Sequence, residues 1–371
     1  VELKANLEEQ IRDAASTLRE GGVVAFPTET VYGIGADFQN ESAVKRIYEI
    51  KQRKKDKPLV LLLSEAGELP FYVKNVRKTA QKIIETFWPG SLTLIFKASS
   101  AVPEYLLGPD STVGTRVTRN ETTRSLIEAF GSCLATTSAN VSGEEPLRSG
   151  SEVSSALGKK IDYVLPGFCG YMLPSAVLNL SQFPATLERS GAISPLLLAR
   201  TMRRKVRLGK DVFFRILLVC TGNACRSPMA EGLLREMVPG EFKRKLIIAS
   251  AGTSPIEGGM PTDLAIKAAK KLGADISGLL SRELNPTIVV NADLILTMEQ
   301  RHREKVAELV PEAWEKTHLL KGYGQTGIPR YEQEIRDPIG MPLEFYEYTA
   351  REIQASLKGV VSELTRWLLP L

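Results

Sequence analysis

Cysteine and histidine are scarce in this chain, with four of the first and two of the second among 371 residues. The cysteines, Cys133, Cys169, Cys220 and Cys225, are too few and too unevenly placed for a disulfide framework, which fits a reducing compartment. Of the histidines, His302 falls on a charged helical stretch and His318 precedes an apolar pair, so a histidine-built metal site is not expected. No apolar run approaches the ~20 residues that a membrane-spanning helix requires. Internal repeats and low-complexity tracts are missing too. The opening residues Val1-Glu2-Leu3-Lys4 lack the basic region and apolar stretch of a secretory signal, so the expectation is a cytoplasmic protein that does not engage a membrane. Charge is also modest: a net +5 and a pI near 8.9 are compatible with an anionic substrate or RNA and argue for neither.

What the chain does have is length and ordinary globular composition. A sequence of 371 residues, 43% apolar and 25% charged, exceeds what one core usually organises and favours two domains. Residues 8–20 carry helical periodicity through Ile11, Ala14, Ala15 and Leu18, Gly21-Gly22 stops that helix, and Val23–Phe26 reads as a buried strand. Short apolar strands recur at Leu59–Leu63, Leu92–Phe96, Cys133–Thr136 and Ala176–Leu180, with helices at Ala43–Ile50 and Arg77–Thr86 between them. Near residue 200 the pattern changes, as Arg200, Arg203, Arg204, Lys205, Arg207 and Lys210 crowd a short segment. Beyond it, strands at Ile216–Val219, Leu246–Ser250 and Leu294–Thr297 alternate with helices at Pro228–Met237, Leu264–Leu272 and Glu299–Leu309, before a final helix from about Leu343 to Leu368. The expected fold class is α/β in two domains. The first, 1–200, is a twisted mixed sheet with helices; the second, 214–371, is a parallel sheet with helices on both faces; 201–213 is a basic linker.

The strongest motif is Cys220-Thr221-Gly222-Asn223-Ala224-Cys225-Arg226-Ser227-Pro228, between an apolar strand and a helix. A strand-to-helix loop aims backbone N–H groups and the positive end of the helix dipole at one point, which makes an anion site suited to phosphate. Cys220 begins the loop, where those N–H groups and Arg226 favour the nucleophilic thiolate. Arg226 offers a planar fork for two phosphoryl oxygens, and Ser227 can hydrogen-bond the Cys220 sulfur as it leaves. The bland alternative is a buried cysteine closing a strand, an ordinary turn and a helix-capping serine. The coincidence of nucleophile, Gly222, Arg226 and Ser227 at one strand–helix junction favours chemistry.

This segment closely resembles the low-molecular-weight protein-tyrosine phosphatase family, whose loop is a cysteine, five residues and Arg-Ser. The similarity runs from about Phe214 to Leu369 and includes Met229-Ala230-Glu231, Ser250-Ala251-Gly252 and Asp337-Pro338. It implies a metal-independent cysteine phosphatase acting on a phosphorylated protein. Thr221, Gly222, Asn223, Ala224, Cys225 and Ser227 would form the phosphate loop, and Asp337 would be the acid that protonates the leaving group and then activates water. On the residues alone, Asp337 before a proline is equally a common turn. Tyrosine-directed members usually carry a bulky aliphatic where Ala224 stands and tyrosines after Asp-Pro; Asp337-Pro338-Ile339-Gly340 looks more like the protein-arginine phosphatases of this fold, which carry threonine at the Ala224 position. Arsenate reductases would need further cysteines after Cys225. Cys225 would also be placed to trap Cys220 as a reversible disulfide.

The first domain is built of individually weaker pieces. Phe26-Pro27-Thr28-Glu29-Thr30-Val31-Tyr32-Gly33-Ile34-Gly35 supplies hydroxyls and two glycines that allow close backbone approach to a ligand, and equally reads as a strand, a proline turn and a second strand. Lys51-Gln52-Arg53-Lys54-Lys55-Asp56-Lys57 is either a solvated helix end or a clamp for a triphosphate through Lys51 and Arg53. Thr137-Ser138-Ala139-Asn140 either binds a ligand or caps a strand. Cys133 and Cys169 read as core.

In this order, and with Trp88-Pro89-Gly90 before Leu92-Thr93, these pieces resemble the YrdC/TsaC family across roughly residues 8–200. The resemblance implies condensation of L-threonine, bicarbonate and ATP, with Mg²⁺, into L-threonylcarbamoyl-adenylate and pyrophosphate. The product would pass to threonylcarbamoyl-transfer machinery that modifies certain tRNAs. Carried over by position, Thr30, Arg116 and Ser175 hold threonine, Arg116 pairing its carboxylate, while Lys51, Arg53, Ser138, Asn140 and Arg189 hold ATP. The sequence departs from the pattern where Leu61-Leu62-Leu63 replaces a histidine of longer members, and at Ser175-Ala176 and Arg189-Ser190-Gly191. A rival reading makes this half an RNA-binding module through Lys51, Arg53, Lys54, Lys55 and Lys57. That run contains no aromatic residue on which an unpaired base could stack.

Overall fold

The computed structural model describes residues 2–53, 57–141, 143–170, 173–325 and 327–370. The chain divides into two compact units, Val1–Ile193 with Thr201–Arg203, and Ser194–Arg200 with Arg204–Leu371.

The first unit opens with the helix Glu2–Arg19, longer at its start than periodicity alone suggests. Ile11, Ala14, Ala15 and Leu18 face inward at the i, i+3, i+4, i+7 spacing of one helical stripe and pack with Val24, Phe26, Leu126, Ile127 and Leu134 in one apolar cluster. Leu18 is fully buried, so truncating it to alanine should cost about 2–5 kcal/mol. Among the described residues the strands of this unit are β1 Val24–Phe26, β2 Gly33–Asp37, β3 Val60–Leu63, β4 Leu92–Lys97, β5 Thr112–Val117, β6 Leu134–Ser138, β7 Tyr163–Val164, β8 Ala176–Asn179 and β9 Thr186–Arg189. They lie side by side in the order β9-β8-β4-β5-β3-β6-β2-β1-β7. The sheet is mixed: β3 runs parallel to β5, and β6 antiparallel to β2 and β3.

That register decides what reaches the centre of the sheet. Leu62 stands opposite Arg116 on β5, and Gly33 opposite Ser138 at the end of β6. The helix Glu41–Lys51 starts at Asn40, whose side chain accepts the Ala43 N–H, and stops at Gln52, which adopts left-handed geometry at φ 50°. Stopping there turns Lys51 into the protein.

The second unit holds β10 Val206–Leu208, β11 Phe214–Cys220, β12 Leu246–Gly252, β13 Leu294–Thr297, β14 Thr317–Leu319 and β15 Leu368–Leu369. A parallel four-stranded sheet runs β12-β11-β13-β14. The near-continuous apolar run of β11 suits a strand covered on both faces. One face meets Val289, Val306 and Ala313; on the other, the helix Arg226–Met237 packs on the helix Leu343–Trp367. Cys220 pairs in register with Gly252, bringing the carboxyl ends of the parallel strands together, where ligands of open α/β sheets bind. A side chain at Gly252 would come within 2.6 Å of the Thr221 carbonyl, so only glycine lets β12 abut the loop.

In the segment read as a basic linker, the charges and the apolar residues part company. Arg203, Arg204, Lys205 and Lys210 are exposed, whereas Val206, Leu208 and Val212 are buried and β10 pairs in parallel with β15. Lys245 donates to the carbonyls of Gly209 and Lys210, both at 2.6 Å.

Candidate functional site

In the first unit the turn after β1 is tied by Thr28, whose Oγ1 accepts the N–H groups of Thr30 (3.1 Å) and Val31 (3.2 Å) and donates to the Val31 carbonyl (2.6 Å). Thr30 is thereby fully buried, its hydroxyl 2.9 Å from that of Thr28. The glycines that follow have a packing reason. A Cβ at Gly33 would lie 2.8 Å from the Phe26 ring, and one at Gly35 3.0 Å from it, so β2 can rest on that ring only without side chains there.

Beyond this turn lies a cavity of about 270 Å³ whose walls include Thr30, Arg53, Arg116, Ser138, Asn140, Ser175 and Arg189. Arg116, on β5, donates to the Gly90 carbonyl (3.1 Å) and to Thr30 Oγ1 (3.1 Å). Arg189 donates to the Ser175 carbonyl (3.0 Å) and hydroxyl (2.9 Å), and that hydroxyl is 2.9 Å from Thr93 Oγ1. Burial, then Arg116 and Arg53 beside it, pull the Arg189 guanidinium down to about 10. Like charges crowded in a partly desolvated pocket mark a place prepared for an anion.

Lys51 is the one sequence-assigned residue outside the cavity wall. It is 1% exposed, and its ammonium donates to the carbonyls of Ser138 and Asn140 and lies 3.3 Å from Ser138 Oγ. Burial, then Arg53, lowers its pKa to about 8. It shapes the Ser138–Asn140 turn from behind. Lys54 and Lys55, invoked for RNA binding, lie outside the described residues, and Arg53 donates to the Lys57 (2.9 Å) and Pro58 (3.2 Å) carbonyls at the cavity edge.

Sequence reasoning missed Glu29. Its carboxylate takes Arg116 at 2.8 Å, the Thr118 hydroxyl and the Arg119 N–H at 3.2 Å. Burial works to raise its pKa, but Arg116 and Thr118 outweigh it and hold the carboxyl below the ordinary glutamate value. Cys133 and Cys169 are buried, and burial pushes their thiols up to about 12 and about 11.

In the second unit Cys220 is the last residue of β11, and the helix begins directly at Arg226. Between them the left-handed residue is Asn223 (φ 49°), not Gly222. Asn223 is held by its side chain, which donates to Ser227 Oγ and Ser250 Oγ (both 2.9 Å) and accepts the Arg282 N–H (3.0 Å). Ser227 Oγ is 3.0 Å from Cys220 Sγ. Cys225, a free thiol like Cys220, faces Thr262 (3.5 Å) and Tyr346 (3.8 Å); burial raises its pKa. The Ala224 carbonyl accepts the Thr262 N–H.

Arg226 is 1% exposed and ion-paired with both Asp337 and Glu299, and also donates to the Ile335 carbonyl at 3.0 Å. Its Nε is buried without a partner among the described residues. An unsatisfied buried donor costs about 1–3 kcal/mol, a cost that a bound phosphoryl oxygen would remove. Glu299, like Glu29, escapes a reading of the sequence alone. So does the role of His302, whose Nε2 is 2.9 Å from Thr221 Oγ1.

Comparison with known proteins decides the family. Residues 16–191 match the Sua5/YciO/YrdC family described as telomere recombination, and residues 215–368 match the low molecular weight phosphotyrosine protein phosphatase family. The threonylcarbamoyl-AMP synthase of Pyrococcus abyssi is 32% identical over 252 residues, covering 66% of this chain and 74% of that protein. This chain belongs to the threonylcarbamoyl-AMP synthase family. It joins that synthase domain to a low-molecular-weight phosphatase domain. The synthase of Halorhodospira halophila is 38% identical over 161 residues, 43% of this chain and 84% of its own length. Among solved structures, a doubly substituted form of P. abyssi Sua5 is 26% identical and covers 84% of this chain and 95% of its own, with a TM-score of 0.53. P. abyssi Sua5 complexed with L-threonine has the same TM-score at 22% identity and shares the fold. No helix among the described residues is long and apolar enough to cross a membrane.

Proposed function

We propose that the synthase domain condenses L-threonine, bicarbonate and magnesium-bound ATP into L-threonylcarbamoyl-adenylate. The threonine amine and bicarbonate give a carbamate with loss of water. A carbamate oxygen then attacks the α-phosphorus, and pyrophosphate leaves. Arg116 pairs the threonine carboxylate, with Thr30 and Ser175 as hydroxyl partners; Arg53, Arg189, Ser138 and Asn140 meet the nucleotide. The observation that carries this reading is the convergence of these side chains on one cavity with three guanidinium groups. Preorganised cations serve an adenylation by holding phosphates and by neutralising charge as the pyrophosphate departs. The product serves tRNA threonylcarbamoylation through a separate transfer machinery. The test is pyrophosphate release by the full chain: it should require threonine and bicarbonate together, and threonine-independent release would refute the assignment.

The second domain, in this reading, removes phosphoryl groups from proteins. The Cys220 thiolate attacks phosphorus, Asp337 protonates the leaving group, and water activated by Asp337 hydrolyses the cysteinyl phosphate. The double ion pair of Arg226 supports it. When a phosphate dianion enters, Arg226 exchanges Asp337 for phosphoryl oxygens, which frees the carboxyl for proton transfer. Phosphoarginine is the favoured substrate. Ala224 offers no aliphatic wall to a phenol ring, Ile339 follows Asp337 where tyrosines would flank that ring, and Asp337 can pair with a guanidinium. Peptides carrying phosphoarginine and phosphotyrosine, assayed side by side, should show the first cleaved faster. Cys220→Ser should abolish both hydrolyses and leave pyrophosphate release intact.

A further inference from the structure

We infer that His302 is a positioning residue of the phosphatase reaction, holding Thr221, the residue after the nucleophile, to the same anchor that holds Arg226. The inference rests on the phosphatase reading of Cys220.

The chain of contacts begins at Glu299. Its carboxylate pairs with Arg226 and with Arg301, and its backbone N–H donates to His302 Nδ1 at 3.2 Å. A ring nitrogen that accepts carries no proton, so the neutral imidazole bears its hydrogen on Nε2. That Nε2–H faces Thr221 Oγ1 at 2.9 Å and is the donor. The ring is 1% exposed; burial brings its pKa to about 4, with Arg226 and Arg301 adding to the effect and Glu299 opposing it. His302 is thus a fixed donor at working pH. Arg301 reaches the same hydroxyl at 3.3 Å.

Both ends of the phosphate loop therefore refer to one residue. Arg226, at the helix end, is fixed by the Glu299 side chain; Thr221, at the strand end, is fixed through His302 by the Glu299 backbone. Cys220 is the last residue of β11 and directly precedes Thr221, and its own neighbour Ser227 belongs to the same helix as Arg226. Loosening the His302–Thr221 bond leaves the Thr221 hydroxyl to the longer Arg301 contact alone, while the helix end of the loop stays held. The misalignment affects the attack on phosphorus more than the initial capture of the dianion, because small displacements from attack geometry cost rate.

The two ring nitrogens can be replaced separately. In the full chain, His302→Gln carries an amide N–H at the Nε2 position and keeps the bond to Thr221; His302→Asn offers an acceptor at the Nδ1 position and keeps only the bond from Glu299. The expected result with a phosphorylated substrate is that His302→Asn loses about tenfold in kcat with little change in KM, while His302→Gln stays within about threefold of wild type. Thr221→Val should match His302→Asn, Thr221→Ser should not, and Thr221→Val combined with His302→Asn should be no worse than either alone. The melting profile reports whether the phosphatase unit of each variant is folded. If one histidine variant is unfolded, the Thr221 pair decides between the outcomes. Full activity of His302→Asn, equal losses in Asn and Gln, equal activity of Thr221→Val and Thr221→Ser, or additive losses in the double variant would overturn the inference. Wild type without phosphatase activity would instead refute the reading beneath it.

Discussion

Arg116 and Glu29 stand 87 positions apart in the chain and 2.8 Å apart in the fold, with side chains only 10% and 11% exposed. The pair leaves Arg116 pointing into the cavity with its remaining donors already oriented. Replacing Arg116 with alanine should raise the threonine KM by about 10- to 100-fold, the loss of one charge-assisted hydrogen-bonding group, and the ATP KM far less. Initial rates of pyrophosphate release at varied threonine and varied ATP separate the two. A larger effect on ATP would reassign the residue.

Removing the other partner should show as a stability effect that depends on pH. Glu29 has a lowered folded-state pKa, so the stabilisation it provides is complete above the unfolded value of 4.5 and is lost as pH falls through the folded value below it. At neutral pH, Glu29→Gln leaves Arg116 without its anion and should cost about 3 kcal/mol. As the pH drops below 4.5 the two proteins should converge. Denaturant midpoints measured from pH 7 to pH 3 test this; a difference that persists unchanged at the acid end would remove the ion pair as its cause.

Lys51 does not line the cavity, and under the proposed function it acts on the nucleotide side through the Ser138–Asn140 turn. Its ammonium satisfies the Ser138 and Asn140 carbonyls, so Lys51→Met should loosen that turn and raise the ATP KM by about tenfold while the threonine KM changes little. Lys51→Arg should not rescue it, since the slot is 1% exposed and fitted to a compact ammonium. An arginine variant with normal ATP kinetics would contradict the role.

For the phosphatase, the loop position Ala224 is the place to alter substrate choice. Ala224→Ile should move activity towards phosphotyrosine by supplying an apolar wall for the ring, and Ala224→Thr should keep or strengthen the phosphoarginine preference. The ratio of kcat/KM for the two substrates is the readout. If phosphotyrosine is already much the faster in wild type and Ala224→Ile leaves the ratio unchanged, the domain is a tyrosine phosphatase.

What can be read from the sequence divides along physical lines. β11 and its loop are legible because a buried parallel strand is a continuous apolar run and the nucleophile lies within a few residues of its arginine. β5 is not: Thr112-Val113-Gly114-Thr115-Arg116-Val117 looks polar, yet every residue of it is buried, because its polar side chains are satisfied by distant partners such as the Leu94 carbonyl. Glu29 and Glu299 go unseen for the same reason. A lone glutamate next to threonines, or at the start of a charged helix, carries no local sign that an arginine from another strand or helix will meet it. By sequence His302 invites only the question of metal binding, and its function as a neutral donor depends on a tautomer that the Glu299 N–H reveals. The glycines of β2 suggest room for a ligand, whereas their constraint comes from the Phe26 ring.

The parallel pairing of Val206 with Leu368 puts the first and last described strands of the segment Arg204–Leu371 side by side, about 5 Å apart. A segment with these strands side by side is a cassette: its ends can be linked and new ones cut elsewhere without crossing its core. The β10–β15 pairing also bears on where the cassette can be trimmed. A version begun at Phe214 would lack β10, leave β15 without that neighbour and strip from Lys245 the Gly209 and Lys210 carbonyls that cap it, so trimming that far should yield a domain frayed at β15.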